Sequence, residues 1–384
     1  MDALIVGAGP AGCAAAILLA RAGREVLMVD KALPRDKLCG GLLSGRALRL
    51  LRERLGLELP ASVVGEVCAG FEICDGRELL NSAEGEAPLT FVFRDRFDAF
   101  LLEAARGAGC RVEPGRFEGL RGDAAVVDGR ELRCGRIVGA DGVFSAVGRA
   151  QGKSLPDRSL AVGLQVDVPR SASPALAGLH AARIFFGYLR LGWGWAFPKG
   201  ERVSIGLGGM PGTKEDLAAA MRRLLADCGV AGSQSLKLRG AKLPNAAFLR
   251  EPAAGQVLLC GDAAGFAEPL TGEGIAFALH SGALAAQSML AGAGRKEFRP
   301  AGTCGTSDTA GAGCAARYNA ACRSEITPLF AQALRARNLL FREPFRSLAM
   351  RRFRAGTGAM KRFLRVLSGE SDYRKFFSDS LLGR

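Results

Sequence analysis

Beginning at its second residue the chain reads DALIVGAGPAGCAAAILLARAGREVLMVDK, and no other stretch limits its fold so tightly. An apolar run, residues 3–6, leads into Gly7, Gly9 and Gly12 in GxGxxG spacing. An alanine- and leucine-rich helical stretch follows, then a second β-rich run, residues 26–29, that ends at Asp30. The three glycines serve different ends. Gly7 makes a tight turn, Gly9 lets the backbone approach a pyrophosphate, and Gly12 lets helix and strand pack closely. The helix amino terminus then offers free N–H donors and a positive dipole end to phosphates. Asp30, about twenty residues on, is placed to accept hydrogen bonds from ribose hydroxyls. The complete strand, turn, helix, strand and acid unit predicts dinucleotide binding on a parallel sheet. It does not choose between FAD and NAD.

Two later segments repeat the theme. Residues 136–149, RIVGADGVFSAVGR, give a short β run and then Gly139, Asp141 and Gly142. Residues 257–286, VLLCGDAAGFAEPLTGEGIAFALHSGALAA, give a strand, Gly261 and Asp262, a loop and a long small-residue helix. Both acids stand just past a strand's carboxyl end, where open α/β sheets bind ligands; either one alone also suits a helix cap. A different signal lies at residues 192–200, GWGWAFPKG, which hold both tryptophans of the 384-residue chain. In a strand, Trp193, Trp195 and Phe197 share one face, while Gly194 and Ala196 leave the other nearly bare for an approaching layer. Pro198 is expected to end that strand by removing a ladder donor. An ordinary core strand would explain these aromatics as well.

Composition narrows the alternatives. Apolar residues make up 48% of the chain, enough for a substantial core. Eleven cysteines show no CxxC pair and no Cys/His cluster with metal spacing, so reduced thiols, no metal and a cytoplasmic location are expected. His180 and His280, the only histidines, have no triad partners nearby in sequence. Residues 3–20 are uncharged but lack a basic leader and are broken by glycines, unlike a signal peptide. Residues 274–294 are uncharged too, but His280, Ser281, Gln287 and Ser288 favour a buried helix over a membrane span. The net charge of +14 is concentrated in residues 317–384, with fifteen basic and five acidic residues interleaved with aromatics. That tail suits an anionic membrane surface, an acidic protein partner, or a solvated helical cap with arginine stems over the core. No nucleic-acid motif accompanies it.

The order GxGxxG, GADGxxS and GDAAGFxxPLTGEGI resembles the FAD-binding pattern of flavoproteins with the p-hydroxybenzoate hydroxylase fold. Within that group the chain most resembles the geranylgeranyl reductase family, whose members reduce carbon–carbon double bonds in prenyl chains. KLCGGLLSGRAL, residues 37–48, and the GWGWAFP stretch, similar to the family's YxWxFP motif, carry the match over residues 1–290. The resemblance implies FAD, with Gly7, Gly9, Gly12 and Asp30 holding its adenosine diphosphate half. Arg94 would lie near the cofactor, with Arg96 a second candidate; Asp141 would lie near the pyrophosphate, and Gly261 and Asp262 at the ribityl hydroxyls. Pro269, Gly272, Gly274 and Ile275 would bring a helix amino terminus to the flavin pyrimidine ring, where dipole and N–H donors stabilise the reduced form. Cys39 and Gly40 would lie against the flavin. Trp193, Trp195 and Phe197 would line a greasy slot above it. Cys39 is a candidate proton donor or positioning group, with a buried structural thiol as its rival, and Glu273 is a second acid that could instead cap the helix.

Trp193 departs from the family's tyrosine, and the resulting WxWxFP also resembles the WxWxIP of flavin-dependent halogenases. A monooxygenase or halogenase, and a non-catalytic flavin-containing lipid-binding protein, are therefore the alternatives to a prenyl reductase. GLGGMPG, residues 206–212, lacks the spacing of a second nucleotide fingerprint. The electron donor is thus expected to be transiently bound NAD(P)H or an acidic ferredoxin. The expected architecture is α/β: a Rossmann-like FAD-binding domain from residues 1–60, 90–155 and 255–291, with an antiparallel-sheet substrate domain from 61–89 and 156–254. A flexible insertion, 292–314, and basic carboxyl-terminal helices, 315–384, complete it. Attachment to the inner face of a membrane is a further expectation.

Overall fold

A computed structural model of the chain describes residues 1–35, 37–291 and 309–381. The opening apolar run forms the buried strand Ala3–Val6 within a six-stranded sheet. Val26–Asp30 and then Arg111–Pro114 extend the sheet on one side, and Arg136–Gly139 and then Val257–Leu259 on the other, all parallel. Ala253–Ala254 closes one edge antiparallel. Strands covered on both faces can be apolar throughout, which is why these runs lack alternation.

Glycine sets how closely the covering helices approach. A Cβ on Gly12, in the helix Pro10–Arg21, would lie 1.9 Å from the Gly7 carbonyl oxygen. One on Gly282 would lie 2.1 Å from the oxygen of Ala11. The uncharged stretch 274–294 accordingly forms the buried helix Ile275–Leu290, lying on Pro10–Arg21. No helix among the described residues is long and apolar enough to cross a membrane.

The second sheet has eight strands, antiparallel except where Ala181–Phe186 runs parallel to Val64–Asp75. The strand Gly192–Lys199 lies within it, and its bare face is filled as its sequence implies: a Cβ on Gly194 would stand 3.0 Å from Leu224 of the helix Leu217–Asp227. Pro198 does not end this strand. It pairs with Val203, whereas pairing with Ala181–Phe186 covers only Gly194–Ala196, so the missing donor falls beyond that neighbour. Leu42–Leu43 pairs with Glu78–Val92 and draws residues 37–41 to the joint between the sheets. A separate three-stranded sheet is built from Phe117–Arg121, Ala124–Val127 and Arg130–Leu132.

Of the expected insertion, residues 292–308 lie outside the described residues. Its carboxyl end is helical instead of open, because Thr309–Glu325 is a single alanine-rich helix. The helices Thr327–Leu340, Phe345–Ala355, Gly358–Ser368 and Tyr373–Leu381 then roof the aromatic face of the large sheet. Met350, Phe353, Met360, Leu364 and Leu367 pack there with Phe71, Ile73, Phe91 and Phe197.

Two substitutions of the same kind separate crowding from propensity. Gly12→Ala puts a methyl group against backbone and should destabilise the chain by about 3 kcal/mol or more. Gly107→Ala, in the helix Arg94–Gly107 with open space around its Cβ position, should stabilise it by about 0.5–1 kcal/mol. Urea unfolding of both variants reads the difference.

Candidate active site

A cleft of about 230 Å³ runs between the two sheets, from the glycine turn to the aromatic strand. At its first end Gly7 takes φ +108° and Gly9 stands at the start of Pro10–Arg21, which has no side-chain cap, leaving its first N–H groups free. Asp30 is buried and accepts from the N–H groups of Ala8 (2.7 Å) and Ala32 (3.0 Å) and from the Arg35 guanidinium. It therefore staples the glycine turn and does not itself line the cleft; a carboxylate offers about four acceptor sites, so one remains. Arg35 passes over Gly9, whose Cβ position is 3.2 Å from Nη2, and its Nε reaches Asp98 at 3.3 Å.

Asp98 then takes a bidentate pair from Arg94, with both contacts at 2.9 Å. Arg94 also lies near Cys39 and lines the cleft. Arg96 does neither: it is exposed, donating to the Ser62 carbonyl at 3.3 Å. Asp141 follows the strand Arg136–Gly139, as its sequence implies. Its carboxylate turns into the helix Ala146–Ala150, accepting from Ser145 Oγ (2.6 Å), Ala146 N (2.6 Å) and Val147 N (3.2 Å). The cleft wall there consists of Ala140 and Gly142 instead.

Asp262, at the start of the short helix Gly261–Ala264, pairs with Lys37 at 2.8 Å. Burial alone would raise its pKa, but Lys37, with Arg94 and Arg35 behind it, holds the carboxyl below the usual range. The following loop is organised by the buried Glu268, which accepts from the N–H groups of Leu270 (3.1 Å) and Thr271 and from Tyr373 Oη (3.0 Å). Pro269 is buried within this loop, while Gly272, Glu273, Gly274 and Ile275 line the cleft. The helix Ile275–Leu290 starts at Gly274 without a side-chain cap, a second set of free donors aimed at the cleft. Glu273 accepts from Ser44 Oγ and lies 3.5 Å from Arg46. Burial pushes its carboxyl up, against the pull of Arg46.

Cys39 lines the cleft and accepts from the Gly41 N–H at 3.3 Å. Every other described cysteine is a buried free thiol. Gly40 lets this loop touch the aromatic strand: a Cβ there would meet the Phe197 ring at 2.9 Å and Trp195 Nε1 at 3.5 Å. Lys199 is buried beside the loop, and burial pushes its amine down, with Asp167 opposing.

Trp193 and Trp195 have ring centroids 5.6 Å apart, and Phe197 stacks on Trp195 at 6.1 Å. Trp193 Nε1 donates to the Leu270 carbonyl at 3.2 Å, tying the wall to the loop before Ile275–Leu290. The wall faces two ways. Trp193 and Phe197 line the cleft and also a second cavity, of about 260 Å³, between the large sheet and the carboxyl-terminal helices. Phe71, Ile73, Ile184, Phe186 and Phe363 complete its apolar sides. Trp193 and Phe197 thus stand between a cleft that carries the charged groups and a chamber that is almost wholly apolar.

The donors fit a flavin dinucleotide: two uncapped helix starts, glycines at the close approaches, and buried cations beside them. Trp195 Nε1 and Asn245 Oδ1, both on cleft-lining residues, are buried without a partner, as polar atoms awaiting a ligand would be. Sequence reasoning misses Arg35, Lys37, Arg46, Lys199, Glu268 and Tyr373. Lys37 and Arg46 lie within KLCGGLLSGRAL and Lys199 within GWGWAFPKG, whereas nothing local marks Tyr373.

Residues 1–177 match the family model described as an FAD binding domain. A menaquinone reductase of Mycolicibacterium smegmatis is 33% identical over 316 residues, 76% of this chain and 76% of the relative. A chloroplastic geranylgeranyl diphosphate reductase of Oryza sativa is 29% identical over 75% of this chain and 66% of its own length. A geranylgeranyl bacteriochlorophyll reductase-like protein of Thermoplasma acidophilum has a similar crystal structure, with a TM-score of 0.80, 21% identity and 98% of both chains covered. The glycine turns, the uncapped helix starts and these likenesses agree: the chain belongs to the geranylgeranyl reductase family of FAD-dependent oxidoreductases, on the p-hydroxybenzoate hydroxylase fold.

Proposed function

We propose that the chain reduces isolated carbon–carbon double bonds in the prenyl chain of a lipid, quinone or chlorophyll precursor, with NAD(P)H or an acidic ferredoxin as the external reductant. The observation that carries this reading is the aromatic partition, with a cofactor cleft on one side and an almost wholly apolar chamber on the other. A prenyl chain makes few hydrogen bonds, so its binding comes from apolar burial at roughly 25 cal/mol per Å². The chamber supplies that and little else.

FAD, held by the helix starts at Gly9 and Gly274 and beside Asp262, would when reduced supply a hydride equivalent to one alkene carbon; the other carbon would take a proton, leaving a single bond. The chain's own residues align and protonate. Trp193 and Phe197, which line both cleft and chamber, hold the prenyl chain where the two meet, and the roof helices exclude water. Cys39, beside Trp195 and Phe197, holds the transferable proton. The Gly41 N–H orients its sulfur, and the Arg94 guanidinium lies near it. Glu273, kept protonatable by burial, is the second proton-bearing group.

Anaerobic titration of the reduced, FAD-loaded chain with a long polyprenyl substrate should reoxidise the flavin, with one double bond lost per flavin. A product that forms only with oxygen would assign a monooxygenase or halogenase, and an unchanged spectrum would leave a non-catalytic lipid-binding protein. Cys39→Ala should lower kcat by about 10²-fold or more with FAD affinity unchanged. Trp193→Ala should cost on the order of 2 kcal/mol of chain binding, about 30-fold in kcat/KM. Steady-state kinetics on both variants check these two effects.

A further inference from the structure

Building on the prenyl reductase reading, we propose that the mouth of the apolar chamber is a docking surface for an anionic phospholipid bilayer, from which the prenyl chain enters without crossing water. Residues that line the chamber and are also exposed mark its mouth: Leu339 (38%), Phe345 (48%) and Leu348 (38%). Large apolar side chains this exposed are few among the described residues, and these three fall within ten positions at one corner, where Thr327–Leu340 turns into Phe345–Ala355. The second helix has two faces. Met350 and Phe353 are buried in the core, while Phe345, Leu348 and Arg352 follow at helical spacing along the rim.

Charge around this rim is one-sided. Residues 335–354 hold seven arginines and one acid, Glu343. Arg346 and Arg354 are paired, with Asp75 and Glu78. Arg335, Arg342, Arg351 and Arg352 are exposed and enter no ion pair among the described residues. These exposed arginines, on the same two helices as the exposed aromatic and aliphatic side chains and in the turn between them, are complemented by an anionic bilayer: guanidinium groups meet headgroups, and Phe345 with its leucine neighbours enters the acyl boundary. An acidic protein would satisfy the arginines and leave the open apolar mouth against water.

The test uses the whole FAD-loaded chain and sedimentation with vesicles of phosphatidylcholine alone or mixed with phosphatidylglycerol. The chain should bind the mixed vesicles, and high salt should release it. Reversing Arg342→Glu together with Arg351→Glu should weaken that binding by about 30-fold or more, as expected for two basic residues at an anionic surface. Neither side chain lines the chamber, so turnover of a short, detergent-dispersed prenyl alcohol should stay the same while turnover of a vesicle-embedded one falls. Phe345→Ala should also weaken vesicle binding. Equal affinity for neutral and anionic vesicles, or indifference to the charge reversal, overturns the proposal. So does binding of an acidic ferredoxin, sensitive to the reversal, by a chain that ignores vesicles. Vesicle binding without reduction of any prenyl substrate supports the docking surface and overturns the reductase reading.

Discussion

Alternation of large and small side chains along Gly192–Lys199 is the constraint on which the rest of the structure depends. The small face lets Leu217–Asp227 lie against the sheet, which fixes the strand's orientation. The large face can then become a partition only where neighbouring backbone yields room. A Cβ on Gly206, in the adjacent strand, would stand 2.2 Å from the Trp195 ring, and one on Gly40 would strike Phe197. Close packing of this kind tolerates little change in volume. Two glycines far apart in sequence are therefore part of the same wall as the aromatics.

The cleft is organised by paired charges, buried at Asp98 and Arg94 and half-buried at Arg35, Lys37 and Asp262. Arg35, Asp98 and Arg94 form a chain of paired groups from the glycine turn to Cys39, and Lys37 with Asp262 closes the opposite flank. Leaving the buried Asp98 without its arginines would be strongly destabilising, so that part of the network holds its members in place. The result is a cleft ready for a diphosphate at one end and, at the other, a thiol oriented by backbone beside a guanidinium.

What can be read in the sequence is what backbone geometry and strand period demand. The glycine turn with Asp30 and the two faces of the tryptophan strand follow from local spacing, and the helix start at Gly274 follows from the family resemblance. Pro198 runs against its expectation because a missing donor matters only where a neighbouring strand exists. Asp141 is ambiguous in sequence, since a carboxylate after a strand can serve a ligand or a helix, and here it serves the helix. Contacts between distant residues leave no local mark: Lys37 meets Asp262 225 positions away, and Tyr373 meets Glu268 105 positions away. The basic tail allows several readings, and its apolar side proves to be the roof of a chamber.

Intrinsic fluorescence is the most direct measurement of the partition, because both tryptophans of the chain belong to it. FAD added to the cofactor-free chain should quench nearly all indole emission at one equivalent. A saturated polyprenyl ligand should then perturb what remains, chiefly through Trp193, without releasing FAD. Indole emission indifferent to FAD, or an apolar ligand that binds only by expelling it, would contradict a wall standing between cleft and chamber.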